Sequence, residues 1–259
     1  MNRPPILSIV TGTWDREASM KRFVDSLHAT MQGVNFELVV SDASVRPYQG
    51  MVWPKNTKIL PENPPAGCVK GFNRAFEECR GEYVAWMNDD CECMPEWATR
   101  ALNFMESNPS VGVGMMYWRD PEEKKWHWNR AYWDIPYANF GILRRDFGNA
   151  LGWFDEDLRM YGCDTSLAYK SWLWRRGVVG ILGSRVMHHR LQDEHRKRNQ
   201  STQTADTDTL FAKYKPLAGK MLEVVNEFAS IQPSPEILDT EWTGKVQEYD
   251  ARRRAGGAR

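Results

Sequence analysis

Gly81-Glu82-Tyr83-Val84-Ala85-Trp86-Met87-Asn88-Asp89-Asp90 is the stretch on which the fold turns: a glycine break, a short apolar run and then an acidic cluster. The apolar run has the length and side chains of a buried strand, and Asn88-Asp89-Asp90 ends it. On its N-terminal side, residues 69–79 space apolar side chains at helical intervals. Further upstream the pattern recurs. Residues 6–10 read as a strand ending in Thr11-Gly12-Thr13, residues 18–31 as a helix, residues 36–40 as a strand closed by Ser41-Asp42-Ala43-Ser44, and 58–60 as a third strand. Strands alternating with helices at this spacing predict an α/β chain with a mostly parallel sheet flanked by helices. Ligands of such sheets lie beyond the carboxyl ends of the strands. The polar clusters 11–16, 42–44 and 88–92 all fall there.

Downstream, helices are expected at 95–107 and 165–174, strands at 111–118 and 178–187, and one last helix at 210–228. Beyond Gln232 the periodicity fades into Pro, Gly and Arg, which reads as an arm or frayed tail. Residues 120–133 form a polar, aromatic loop. Trp126, Trp128 and Trp133 sit there among charged residues, so they are expected to be more exposed, and better placed to stack on a sugar, than Trp172 or Trp174.

Adjacent carboxylates at a strand end repel and raise one another's pKa unless a cation lies between them. A divalent Mg2+ or Mn2+ is the simplest remedy, being a hard ion that suits oxygen ligands and keeps room for substrate phosphates. The competing reading makes Asn88, Asp89 and Asp90 an Asx-rich loop that caps the helix after Pro95. His188 and His189 follow the last strand, and adjacent strand residues face opposite ways, so one of them at most reaches such a metal. Cys91 and Cys93 with these histidines permit a zinc site, but tetrahedral ligand spacing is missing, and buried, inert cysteines are the simpler reading. Asp164 is placed as a helix N-cap or as a general base whose pKa the helix dipole would lower.

Composition bounds the rest. The 259 residues balance 34 basic against 34 acidic side chains, with 42% hydrophobic and 26% charged, as in a water-soluble globule. No apolar stretch is long enough to span a bilayer. The start shows no secretory h-region, and five cysteines form no disulfide framework, so a cytoplasmic location is expected. Balanced charge disfavours a general nucleic-acid binder, although the basic segments Arg190–Arg198 and Arg252–Arg254 could meet phosphates. The segment after Leu210 is a plausible homodimer element.

Five motifs in order resemble the family 2 glycosyltransferases of GT-A fold, over about residues 6 to 190. Ser8 to Arg16 is similar to the family's first strand, with Trp14 and Asp15 departing from its pattern. Val39 to Ser44 is similar to the second, and Gly71-Phe72-Asn73-Arg74-Ala75 followed by Gly81 to Asp90 to the helix and the metal-binding Asp-x-Asp. Gly152-Trp153-Phe154-Asp155-Glu156, Gly162-Cys163-Asp164 and Ser184-Arg185-Val186-Met187-His188 complete the set. The resemblance implies a GT-A domain over 1–200, divided into a nucleotide-sugar half (1–93) and an acceptor half (94–200), with a C-terminal helix and tail over 201–259. It implies Asp90 and His188 as ligands of Mn2+ or Mg2+, and Asp164 as the base. Thr11, Thr13, Trp14, Asp15, Asp42, Asn73, Asn88 and Asp89 would line the donor site. The implied reaction moves a sugar from a UDP-, GDP- or dTDP-sugar to a glycan, lipid-linked or other hydroxyl, with inversion. Asn88 and Cys163 depart from the motifs, which keeps open a binding module without turnover, and a nucleotidyltransferase shares the acidic strand end.

Overall fold

The computed structural model describes residues 4–46 and 48–238. Arg252–Arg254, and the tail after residue 238, lie outside the described residues. The chain runs β1 (Leu7–Thr13), α1 (Glu17–Thr30), β2 (Phe36–Asp42), β3 (Thr57–Pro61), α2 (Cys68–Glu77), β4 (Tyr83–Trp86), β5 (Cys91–Cys93), α3 (Trp97–Ser107), β6 (Val111–Arg119), β7 (Lys125–His127), β8 (Asn129–Arg130), β9 (Pro136–Tyr137), β10 (Gly141–Arg144), α4 (Arg145–Leu151), α5 (Cys163–Leu173), β11 (Gly177–His188), α6 (Glu194–Gln200), α7 (Gln203–Tyr214), α8 (Ala218–Glu227) and β12 (Glu236–Leu238).

β3, β2, β1 and β4 pair in parallel, with Ile9 opposite Leu38 on one side and Ala85 on the other. The expected parallel sheet is therefore present as one half of a larger one. β10 turns the sheet by pairing antiparallel with both β4 and β6. Both faces are covered. Alternate strand residues supply two cores: Ile9, Leu38 and Ala85 pack under α1 and α3, and Val10, Val39 and Val84 under α2 and α5.

β11 carries the feature that builds the site. Its first half runs parallel to β6, and a bulge between Ile181 and Arg185, with Gly183 at φ +82°, bends it before it resumes. Its second half then pairs with β5, placing His188 opposite Cys91, one residue from Asp90.

Several expectations are corrected. The single helix over 210–228 is two, α7 and α8, parted by a 3-10 turn at Lys215–Leu217 in which Pro216 has no N–H to continue the ladder. The frayed tail after Gln232 first forms β12, an edge strand on β7. Trp126 is fully buried and Trp128 nearly so. Trp126 lies under the guanidinium groups of Arg119 and Arg185, 4.7 and 5.5 Å from its ring centre. Trp174 is the exposed one, at 57%. Cys91 and Cys93 are buried free thiols, and among the described residues no group of three His, Cys, Asp or Glu could hold a metal by itself.

Candidate active site

The carboxyl ends of β1, β2 and β4 lie side by side, and their polar residues interlock. The Thr13 hydroxyl donates to Asp89 Oδ2 at 2.9 Å and also meets the Tyr48 hydroxyl at 2.9 Å. Asp42 Oδ1 accepts the Ser44 N–H at 2.9 Å, and Ser44 Oγ accepts the Asp15 N–H at 2.9 Å. Asp15, at φ +51°, returns a bond by accepting the Val45 N–H at 3.0 Å. These bonds zip the loop after β1 to the loop after β2. Burial pushes the Tyr48 phenol up to about 12, so it serves there as a neutral hydroxyl. Thr11 is buried at the base of this floor. Trp14 rims it, half-buried, with its ring 4.5 Å from that of His195.

The two aspartates have different partners. Asp89 is buried and accepts a charged bond from Arg16 Nη1 at 3.1 Å. Arg16 also forks onto Asp193 at 2.7 and 3.0 Å. Burial pushes the Asp89 carboxyl up to about 6 against the pull of Arg16, and the neighbouring Asp90 charge adds to the rise. Asp90 is equally enclosed. Burial opposes its ionisation, but the facing His188 imidazole holds its carboxyl below the usual range. Asp90 Oδ1 and His188 Nε2 stand 3.2 Å apart without hydrogen-bond alignment. Asp90 Oδ1 and His188 Nδ1 have no hydrogen-bond partner among the described residues. Trp118 and Phe140 wall the imidazole edge-on at 5.6 and 5.2 Å. His189 turns away to Glu92 Oε2 at 2.9 Å, so the histidine facing Asp90 is His188. Capping of the helix after Pro95 plays no part, since both carboxylates are engaged elsewhere and α3 begins at Trp97.

Asp164 sits inside the first turn of α5, with Gly162 in the capping position at φ +78°. Its Oδ1 accepts the Thr165 N–H at 2.7 Å. Burial pushes its carboxyl up to about 6, against the direction expected from the helix dipole. The Tyr137 and Tyr169 phenols are raised by burial and, further, by the Asp164 charge, so an aromatic wall adjoins this carboxylate. Arg190 approaches the same wall, with its guanidinium on Asp120 at 3.0 Å and over Trp118 at 4.7 Å.

Two donor-site candidates lie differently from the rest. Asn73 is buried with its amide committed at both ends to the backbone of Phe154, donating at 3.0 Å and accepting at 3.0 Å. Asn88 is exposed, and its carbonyl accepts the Cys91 N–H. Sequence reasoning gave no role to Arg16, although it ends the first-strand motif, nor to Tyr48 or Asp193, for which no signal exists. A cavity of about 650 Å3 beside the paired strands β7 and β12 is lined by residues such as Lys124, His127 and Trp128 and contains none of the site residues above.

The sequence matches glycosyl transferase family 2 over residues 8–167. It is 28% identical over 256 residues to the O-antigen biosynthesis protein RfbC of Myxococcus xanthus, covering 83% of this chain. The chain spans 19% of that protein's length. Solved structures of similar fold include S. aureus TarS 1-349 in complex with UDP-GlcNAc, with a TM-score of 0.61 and 17% identity over 93% of this chain and 77% of that one. Another is the mannosyltransferase PcManGT from Pyrobaculum calidifontis in complex with GDP-Man and Mn2+, with a TM-score of 0.59 and 15% identity over 99% of this chain and 81% of that one. No helix among the described residues is long and apolar enough to cross a membrane. The family match covers more than half of the sequence and sets aside the nucleotidyltransferase alternative: the chain belongs to glycosyl transferase family 2 and has a GT-A fold.

Proposed function

We propose that this protein moves a sugar from a nucleoside-diphosphate donor to an acceptor hydroxyl by a single, inverting displacement assisted by Mn2+ or Mg2+. The observation that carries the proposal is the buried Asp90 Oδ1, which has no hydrogen-bond partner among the described residues and lies 3.2 Å from His188 Nε2. A buried carboxylate oxygen and an imidazole nitrogen this close would suit neighbouring positions on one divalent cation, the imidazole then being neutral. Two protein ligands leave the remaining positions for phosphate oxygens and water. The donor set of one carboxylate and one imidazole suits Mn2+ at least as well as Mg2+. When bound, such an ion would offset the negative charge of the diphosphate leaving group.

The chain's own residues do the rest. The floor of Thr11, Thr13, Asp15 and Asp42 holds the nucleoside, with Trp14 as the flat face at its rim. Arg16 keeps Asp89 paired, which leaves Asp90 alone to face His188. Asp164 is the base: a carboxyl near 6 is ionised at neutral pH yet basic enough to share the acceptor proton in the transition state. The acceptor oxygen attacks the anomeric carbon and its proton passes to Asp164. The bond from that carbon to the phosphate oxygen breaks, and its electron pair leaves with the diphosphate. TarS and PcManGT were solved with UDP-GlcNAc and GDP-Man, which supports a nucleotide-sugar donor of one of these kinds here.

The test is a panel of UDP-, GDP- and dTDP-sugars by isothermal titration, with and without Mn2+, on the wild type, Asp90→Ala and Asp164→Ala. One donor should bind in a metal-dependent way that Asp90→Ala abolishes, while Asp164→Ala binds it and neither hydrolyses nor transfers it. Binding that ignores both metal and Asp90 would overturn the proposal. A donor bound by the wild type but never consumed would make this a binding module.

A further inference from the structure

We infer that Asp206, on α7 and outside the family-matched segment, is a positioning residue that sets the N-terminal turn of α5 and with it Asp164; the inference rests on Asp164 being the base. Asp206 is 4% exposed, and its carboxylate accepts three successive backbone N–H groups: Arg159 at 2.9 Å on Oδ1, and Met160 at 3.0 Å and Tyr161 at 2.9 Å on Oδ2. Three consecutive N–H groups aimed at one point form an anion-binding concavity, here filled by the protein's own side chain. Gly162 follows at once, in the left-handed region, and α5 starts at Cys163.

α5 has no side-chain N-cap of its own. The direction in which it leaves Gly162 is therefore set by the turn at 159–161 and by what holds that turn. From one side the Arg159 carbonyl accepts the Val69 N–H of α2 at 3.4 Å. From the other, Asp206 holds all three amides, and Leu210, one helical turn later on α7, packs over Gly162 at 3.5 Å from where a Cβ would lie. The next residue of α7, Phe211, meets Tyr132 edge-on at 4.4 Å and Trp133 at a tilt at 5.3 Å. α7 thus braces the acceptor half at three points around the α5 N-terminus.

A carboxylate satisfies three N–H donors with ease. An amide of the same size offers one oxygen and two N–H groups, so Asp206→Asn must leave at least one of the three amides facing a donor. A displacement of about 1 Å at a reacting group costs on the order of 100-fold in rate.

The experiment uses the full chain with Asp206→Asn, Asp206→Ala, Asp164→Asn and the double variant Asp164→Asn/Asp206→Asn. Functional sites are counted by titration with UDP or GDP and Mn2+, and hydrolysis of the matching UDP-GlcNAc or GDP-mannose is expressed per nucleotide-binding site. Hydrogen–deuterium exchange reads the turn directly. We expect Asp206→Asn to speed exchange over residues 158–166 but not over β4, to leave nucleotide affinity within about twofold, and to lower turnover per site by about 10- to 100-fold. Adding Asp206→Asn to Asp164→Asn should cost nothing more. Unchanged exchange over 158–166 would overturn the inference, as would turnover per site within twofold of wild type. Asp206→Asn conserves volume, so it remains a test where Asp206→Ala does not fold. Near-normal turnover by Asp164→Asn would instead overturn the base reading, and the exchange result would stand by itself.

Discussion

Replacing Asp164 by Asn should abolish turnover and make the protein more stable. The carboxyl lies at about 6 in the fold against an ordinary 3.8, so the native state holds the proton more tightly than the unfolded chain does. The sign follows from linkage: ionised Asp164 weakens the fold, with the full penalty above pH 6 and none below 3.8. A rise from 3.8 to about 6 is worth about 3 kcal/mol. The side chain is only half-buried, and solvent screens part of this, leaving an expected gain of about 1–2 kcal/mol for Asp164→Asn at pH 7.5. Asn retains the oxygen that accepts the Thr165 N–H, so no bond is lost to offset the gain. The assay is urea unfolding at pH 7.5 and pH 4.5, with stability taken from the midpoint at constant m. The gain should shrink by about two thirds at pH 4.5, because most of the penalty has gone once the folded carboxyl is protonated. A variant no more stable than wild type at pH 7.5, or one with the same gain at both pH values, would refute the argument that burial raises this carboxyl. Wild-type turnover should rise with pH through about 6, the limb expected of an unprotonated base.

Removing Arg16 should be costly in the opposite direction. Arg16→Ala strands the buried Asp89 charge, for a loss of about 3 kcal/mol at pH 8 that fades as the pH falls toward 6, because without Arg16 the carboxyl takes its proton at higher pH than in the wild type; the same unfolding series measures it. Trp14→Ala should weaken UDP or GDP binding by about 1–3 kcal/mol if its ring is the stacking face, with a titration showing unchanged affinity as the contrary result. Gly81→Ala tests the fold alone. Its Cβ would lie 2.5 Å from the Ser8 backbone nitrogen in the central strand β1, which has no room to yield, so a loss of about 3 kcal/mol is expected from the melting temperature.

The parallel half of the sheet was legible because each of its strands is an apolar run closed by a polar turn. In the half beyond β10, β6 and β11 were legible too, and the short strands were not. β5, β10 and β12 have three, four and three residues, too few for any period to show, yet β10 joins the two halves of the sheet. The two helices at the C-terminus carried a visible signal in Pro216. The tryptophans differ from expectation for another reason: charged neighbours in sequence do not make a side chain exposed. On a strand such as β7 the neighbours Lys125 and His127 point opposite to Trp126, and Arg119 and Arg185 stack over its ring rather than exposing it.

The acidic pair shows where sequence reasoning about charge stops. Adjacent carboxylates repel one another, but it does not follow that they share one cation. Asp89 takes Arg16 from the end of β1, 73 residues away, and Asp90 takes His188 from the end of β11. Neither partner is within reach of a local reading. Arg16 arrives because β1 and β4 are adjacent and parallel, and His188 because a bulge swings the second half of β11 onto β5. On the proposed function the division of partners has a chemical consequence: with Asp89 paired to a guanidinium, Asp90 and His188 would be the two side chains that hold a divalent ion. A two-ligand site binds such an ion weakly until phosphate oxygens complete the shell. Metal and nucleotide should therefore bind cooperatively here, each tightening the other by the same factor.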